Sequence, residues 1–158
     1  MSTPPIATPA VEPWRARLLD EARTWLLTPW HHNARVRGAG VDCGQLLIAC
    51  YVGAGLVPDF DTGPYAMDWM LHRDQEVYLS WVTRHLDEVE HPGPGDVATW
   101  QVGRCFSHGA LVVQWPSVIH AYRPARSVCL GDATRGALAT RRDGSARPVR
   151  FFSIAGRL

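Results

Sequence analysis

Residues 38–52 read Gly-Ala-Gly-Val-Asp-Cys-Gly-Gln-Leu-Leu-Ile-Ala-Cys-Tyr-Val. A glycine-containing loop here turns abruptly into an apolar run. Leu46, Leu47, Ile48 and Tyr51 leave almost no polar face, so the run predicts a buried helix from about Asp42 to Val52. Gly53 and Gly55 end it. Cys43 then stands in the first turn, where backbone N–H groups are free and the helix dipole is positive. Both influences favour the thiolate, the nucleophilic form. Position alone leaves two readings open: an activated nucleophile, or a small buried apolar residue.

Working outward, residues 13–27 form a helix pattern, with Trp14, Leu18, Ala22, Trp25 and Leu26 at helical spacing. Pro13 suits its first turn, and Thr28-Pro29 stops it. Residues 30–42 and 56–66 read as loops. A further helix is expected from about Asp74 to Val89, carrying Val77, Trp81 and Leu86 on one side. His-Pro-Gly-Pro-Gly-Asp at 91–96 breaks the helical pattern. Beyond it the residues become β-branched and aromatic in short runs. Strands are expected at Val97–Val102, His108–Trp115, Val118–Tyr122, Ser127–Leu130 and Arg147–Ile154, with a short helix over residues 134–142. Helices followed by an antiparallel sheet make an α+β layout, with the N-terminal helices packed on the sheet. Residues 1–12, rich in proline, read as a flexible arm suited to docking, and residues 13–158 as one domain.

The composition narrows the function. The chain has 158 residues, a formal net charge of +1, 46% hydrophobic and 20% charged residues, values that suit one globular domain. A near-neutral balance argues against a nucleic-acid binder that works through a broad basic face. No run of eighteen apolar residues is present, so membrane insertion is not expected. The opening Met-Ser-Thr-Pro-Pro-Ile-Ala-Thr-Pro-Ala has neither the basic nor the apolar region of a secretory signal. All sixteen basic residues are arginine, a bias that fits GC-rich coding in a bacterium or its virus. The cysteines Cys43, Cys50, Cys105 and Cys129 form no Cys-x-x-Cys pair, and the Cys105–His108 spacing lacks a second ligand pair. Neither a metal nor another cofactor is expected. His72, His85 and His91 read as solvated.

Two histidines do fit chemistry. His108 opens one expected strand and His120 lies in the next, with Trp115-Pro116-Ser117 as the turn between them. In a hairpin the two sit side by side near the same end. An imidazole that serves a thiol needs a further polar group to orient it, and His120 can be that group.

Four segments resemble the NlpC-type cell-wall cysteine peptidases. They are Thr28-Pro29-Trp30 with the Gly38–Cys43 stretch, Pro94-Gly95-Asp96-Val97, Ser107–Val113 and Val118–Tyr122, in the family's order. The longer run from His31 to Cys43 is most similar to the branch found in bacteriophage tails and gene-transfer agents. The resemblance implies a papain-like α+β fold and a Cys-His-His triad, with Cys43 as nucleophile, His108 as base and His120 as orienting residue. Trp30 and Asp42 would then border the substrate and oxyanion positions, beside the Cys43 backbone N–H. The implied partners are peptidoglycan stem peptides, cut between D-glutamate and diaminopimelate, and tail-tip or baseplate hub proteins. The implied location is the virion, acting in the host periplasm or wall. A structural tail-tip adaptor on the same fold is the alternative, and another acyl-transfer reaction would use the same triad. The chain departs from the family pattern at three places. Trp30 stands where many relatives have tyrosine, Gln45 stands where glycine is usual, and the stretch from Cys43 to His108 is long.

Overall fold

The computed structural model describes residues 11–67 and 76–158. Helix α1 (Pro13–Arg23) opens on its proline and buries Trp14, Leu18, Leu19 and Ala22. It stops four residues before the expected end. Trp25, Leu26 and Thr28 hydrogen-bond three residues back, and Leu27 takes φ 69°, so the last turn tightens and the chain leaves the helix. The expected loop over 30–42 contains a small hairpin of β1 (Arg35–Val36) and β2 (Gly40–Val41). Gly38 turns it at φ 77°, a conformation glycine adopts without strain. The Gly38 N–H donates to Thr28 Oγ1 at 3.0 Å, which ties the hairpin to the end of the α1 segment.

Helix α2 (Cys43–Gly53) lies where the apolar run predicts, and every residue from Gly44 to Tyr51 is buried. Full burial of each leucine or isoleucine side chain contributes about 2 kcal/mol. Helix α3 (Val77–His85) is shorter than expected; the first two residues of the expected span, 74 and 75, lie outside the described residues. Its C-terminal part is instead a strand, β3 (Asp87–Val89), paired with residues 151–153. Three residues, two of them acidic, carry no alternation of their own, and tertiary pairing decides their conformation.

The remaining strands are β4 (Val97–Val102), β5 (Cys105–Gln114), β6 (Ser117–Tyr122) and β7 (Ser127–Asp132). A one-turn helix α4 (Gly136–Ala139) and the strand β8 (Val149–Ser153) follow. The six-stranded antiparallel sheet has the order β3-β8-β4-β5-β6-β7. One face carries Val97, Leu111, Ile119, Ala121, Val128 and Phe152 into a core shared with α1 and α2. The other carries Ala98, Trp100, Ala110, Val112 and Val118 beneath Leu138, Trp115 and Phe151. The architecture is α+β, as the order of helices and strands implies.

The Pro-Gly-Asp lead-in to β4 is a structural joint. Asp96 is 2% exposed; its carboxylate takes the Gly93 N–H at 2.7 Å and pairs with Arg15 at 2.9 Å. Arg15 also donates to the Pro94 carbonyl, and the Tyr51 hydroxyl donates to the Gly95 carbonyl. One turn thus clamps α1, α2 and the sheet together. Removing the Asp96 carboxylate strands the Gly93 N–H and leaves Arg15 only its outer carboxylate partner, Glu12. Asp96→Ala is expected to lower the unfolding free energy by about 2 kcal/mol, read from urea denaturation followed by circular dichroism.

Candidate active site

Asp42 sets the position of Cys43. It is the N-cap of α2, with extended backbone, and its carboxylate accepts the Gln45 N–H at 2.9 Å. The same carboxylate accepts the Asn33 N–H at 2.7 Å and the Tyr65 hydroxyl. The helix therefore starts at one defined residue, and the side chain that starts it is 4% exposed. Asp42 is expected to border the oxyanion; it lines the cleft beside Cys43, but its carboxylate is taken up by these donors. A buried carboxylate with its oxygens engaged donates nothing, and its charge would repel a developing oxyanion. Its role is to cap the helix and hold the loop before it.

Cys43 is half-buried and meets β5 where the β5–β6 ladder ends. That ladder pairs Leu111 with Ile119 and goes no further toward residues 107–109. The Cys43 Sγ lies 3.6 Å from the Ser107 carbonyl oxygen, and the backbone N–H groups of Gly109 and Gly44 also point at the sulfur. The Gln45 N–H is held by the Asp42 carboxylate and the Leu46 N–H by the Asp42 carbonyl. The N–H groups of Cys43 and Gly44 are thus left facing the thiol, as a helix N-terminus provides.

His108 shares the sheet face of its cross-strand partner Trp100, with ring centroids 5.7 Å apart. Its Nε2 lies 2.8 Å from His120 Nδ1. His120 is 2% exposed and stacks on Tyr122 at 4.6 Å and 11°. Gly131, on β7, makes room for it: a Cβ there would stand 2.8 Å from His120 Nε2. The two histidines do lie side by side, as the hairpin reading expects. Tyr122, which supports them, has no signal in the sequence beyond an ordinary strand aromatic.

Cys43 and His108 line one cavity of about 400 Å³, together with Trp30, Asp42, Tyr65, Tyr78, Arg123 and Arg147. Trp30 forms part of the wall and lies under the Arg123 guanidinium, 5.4 Å from its ring centroid. Gln45 turns away from the sulfur and donates to Asn33 and Thr62. Tyr78, from α3, reaches the cavity through a segment whose placement beside Cys43 no local pattern announces. His85 departs from the expectation of a solvated face: it is half-buried and stacks on Phe60 at 5.1 Å. His91 is exposed on its loop, and His72 lies outside the described residues. Among the described residues no group of three or more His, Cys, Asp or Glu side chains could hold a metal ion.

The electrostatics run against a resting thiolate. Burial, and next the negative charge of Asp42, push the Cys43 thiol up to about 12, against the pull of nearby backbone N–H groups. Burial, then His120 and Arg147, push His108 down to about 3. Burial alone lowers His120 to about 4. Both groups of the thiol–imidazole pair are neutral at rest. A proton passed from sulfur to imidazole creates two opposite charges that offset each other's burial. The helix dipole expected to activate Cys43 is present, but desolvation and the N-capping carboxylate outweigh it.

No protein-family model and no characterised protein sequence matches the chain. Solved structures do. The NlpC/p60 domain of the peptidoglycan hydrolase SagA is similar at 20% identity and a TM-score of 0.55, over 86% of this chain and 96% of that one. The peptidoglycan hydrolase RipB from Mycobacterium tuberculosis is similar at 14% identity and a TM-score of 0.56, over 89% of this chain and 64% of that one. NlpC1 from Trichomonas vaginalis reaches a TM-score of 0.62 at 16% identity, over 92% of this chain and 45% of that one, so this chain spans under half of that protein. The fold is therefore that of NlpC/p60 domains.

His108 and His120 make stability depend on pH. Their folded values lie below the ordinary 6.5, so below about pH 6.5 the unfolded chain binds protons that the folded chain does not. Stability is complete above pH 6.5 and falls as the pH drops toward 4, by about 2 kcal/mol for each histidine at pH 5. Urea midpoints compared at pH 7.5 and 5 should show this fall, and His120→Asn should flatten it.

Proposed function

We propose that this chain is a cysteine peptidase that hydrolyses stem-peptide amide bonds of peptidoglycan, at the D-glutamyl–diaminopimelate link, from the tip of a phage or phage-like tail. One observation carries the chemistry. The Cys43 sulfur, at the start of α2, and His108, joined at 2.8 Å to His120 behind it, border the same cavity. The likeness in fold to peptidoglycan hydrolases supports the substrate class. So does the charge of the cleft. Arg123 and Arg147 line it, neither pairs with a carboxylate among the described residues, and the Asp42 carboxylate is sequestered. Stem peptides carry free carboxylates that such a wall attracts. The motif resemblance to tail and gene-transfer-agent proteins and the proline-rich arm support the tail-tip setting and docking to hub proteins. In that setting the assembled particle carries the domain to the host wall.

The reaction assigns each residue one task. His108 takes the Cys43 proton as the sulfur bonds to the amide carbonyl carbon. For its Nδ1 to accept, its Nε2 must carry hydrogen and donate to His120 Nδ1, which fixes both tautomers. The oxyanion lies against the Cys43 backbone N–H. As the C–N bond breaks, His108 gives its proton to the leaving amine. Water then adds to the thioester while His108 takes its proton, the C–S bond breaks, and the proton returns to sulfur.

Purified wall fragments, digested by the isolated protein and read by mass spectrometry, test this reading and identify the bond. Cys43→Ala and His108→Ala are expected to abolish product. His120→Ala should retain more activity, because it orients the base and forms no bond to substrate. Particles assembled with Cys43→Ala should have normal tails. If Cys43→Ala digests the fragments as well as the wild type does, the peptidase assignment is wrong, and the adaptor role on this fold takes its place.

A further inference from the structure

Three tyrosine hydroxyls lie near α2, and two of them have acceptors. Tyr51 donates to the Gly95 carbonyl and Tyr65 to the Asp42 carboxylate. The third, Tyr78 Oη, is buried and has no hydrogen-bond partner. The residue is 4% exposed, so water does not replace the missing acceptor. A buried donor left unpaired costs about 1–3 kcal/mol, and such a group in a folded protein calls for a reason.

Its surroundings point to that reason. Two glycines accommodate the ring. A Cβ at Gly44 would lie 3.3 Å from the ring's Cε2, and one at Gly109 would lie 2.2 Å from the hydroxyl itself. Gly44 follows the nucleophile in sequence and Gly109 follows His108. The N–H groups of both point at the Cys43 sulfur. Tyr78 lines the same cavity as Cys43. The hydroxyl thus stands within the shell of donors around the thiol, on the α3 side. It remains a donor at any working pH, since burial and the neighbouring Cys43 and Asp42 hold its own ionisation well above the ordinary value.

A neutral thiol is a weak acceptor, whereas a thiolate is a strong one. We infer that Tyr78 is a positioning residue whose hydroxyl donates to the Cys43 sulfur once that sulfur becomes a thiolate. The acceptor missing at rest is then created by the proton transfer to His108. A donor that is unpaired before the step and paired after it lowers the barrier more than one paired throughout. It also opposes the effect of Asp42, whose charge disfavours the thiolate from the other side. The inference rests on Cys43 being the nucleophile of the proposed reaction.

The test uses alkylation of Cys43 by iodoacetamide, which needs no peptide substrate, followed by peptide mass spectrometry across pH 6–11. Tyr78→Phe keeps the ring between the two glycines and removes only the hydroxyl. Its Cys43 profile should move to higher pH by about one unit, with alkylation at neutral pH slowed roughly tenfold. Its melting temperature should not fall, since the lost hydroxyl has no partner. Tyr51→Phe is the control: it removes a paired hydroxyl away from the sulfur, so it should lower the melting temperature and leave the Cys43 profile unchanged. An unshifted profile in Tyr78→Phe overturns the inference. So does a Tyr78→Phe protein that unfolds or melts lower, because the hydroxyl would then serve packing. If Tyr78→Phe shifts the profile but the wild type digests no wall fragments, the role of Tyr78 stands and the substrate assignment falls.

Discussion

The Asp42 carboxylate is the point on which the site turns. It receives the Gln45 N–H, the Asn33 N–H and the Tyr65 hydroxyl at once. It thereby joins the start of α2, the loop before it and the segment after it. With the helix start defined, the next residue has nowhere to go but the end of the β5–β6 ladder. The same charge works against ionisation of the thiol it positions. Placement and activation are thus opposed in one side chain, and the donors around the sulfur decide the balance. An N-cap is usually a matter of helix stability, worth about 1 kcal/mol. Here it also fixes where the Cys43 sulfur stands.

Much of the fold was legible because its strong elements are local. The apolar run after Asp42, the Pro-Gly break at 91–96 and the β-branched runs beyond it each carry their own period. Their order alone implies helices on an antiparallel sheet. The pairing of His108 with His120 was also accessible, since a short turn between two strands fixes their neighbours. What local pattern could not disclose depends on contacts far apart in sequence. The β3 strand exists because residues 151–153 pair with it. Tyr78 comes beside Cys43 because α3 packs on β5, where the Tyr78 hydroxyl meets Gly109. The thiol's environment was misread for the same reason. A dipole can be inferred from a helix start, but desolvation depends on everything packed around it.

The sheet supports the two histidines from behind as well as from the side. Gly131 clears a space for His120, and Tyr122 closes it with a stacked ring. Small and large residues at these two places act as a mould, so the His120 imidazole has one seat. Such restraint suits the orienting role proposed for His120. On the open side of the cleft the wall is different in kind. Trp30 and Arg123 are stacked at the rim, offering a flat apolar surface topped by a positive charge.

The position of β8 has a consequence for how the chain acquires its shape. Strands β3 and β4 are close in sequence, yet they never pair; β8 lies between them and bonds to both. Until residues 149–153 arrive, the outer edge of β4 has no neighbour, although β4, β5, β6 and β7 can already zip together as successive hairpins. Without β8 the β4 edge is bare, and a bare edge of that kind adheres to other chains. Closing that edge requires a loop of nearly the whole sheet's length, which is a slow, non-local event. The strands that carry His108 and His120 pair with neighbours close in sequence, whereas β8 joins the sheet from far along the chain.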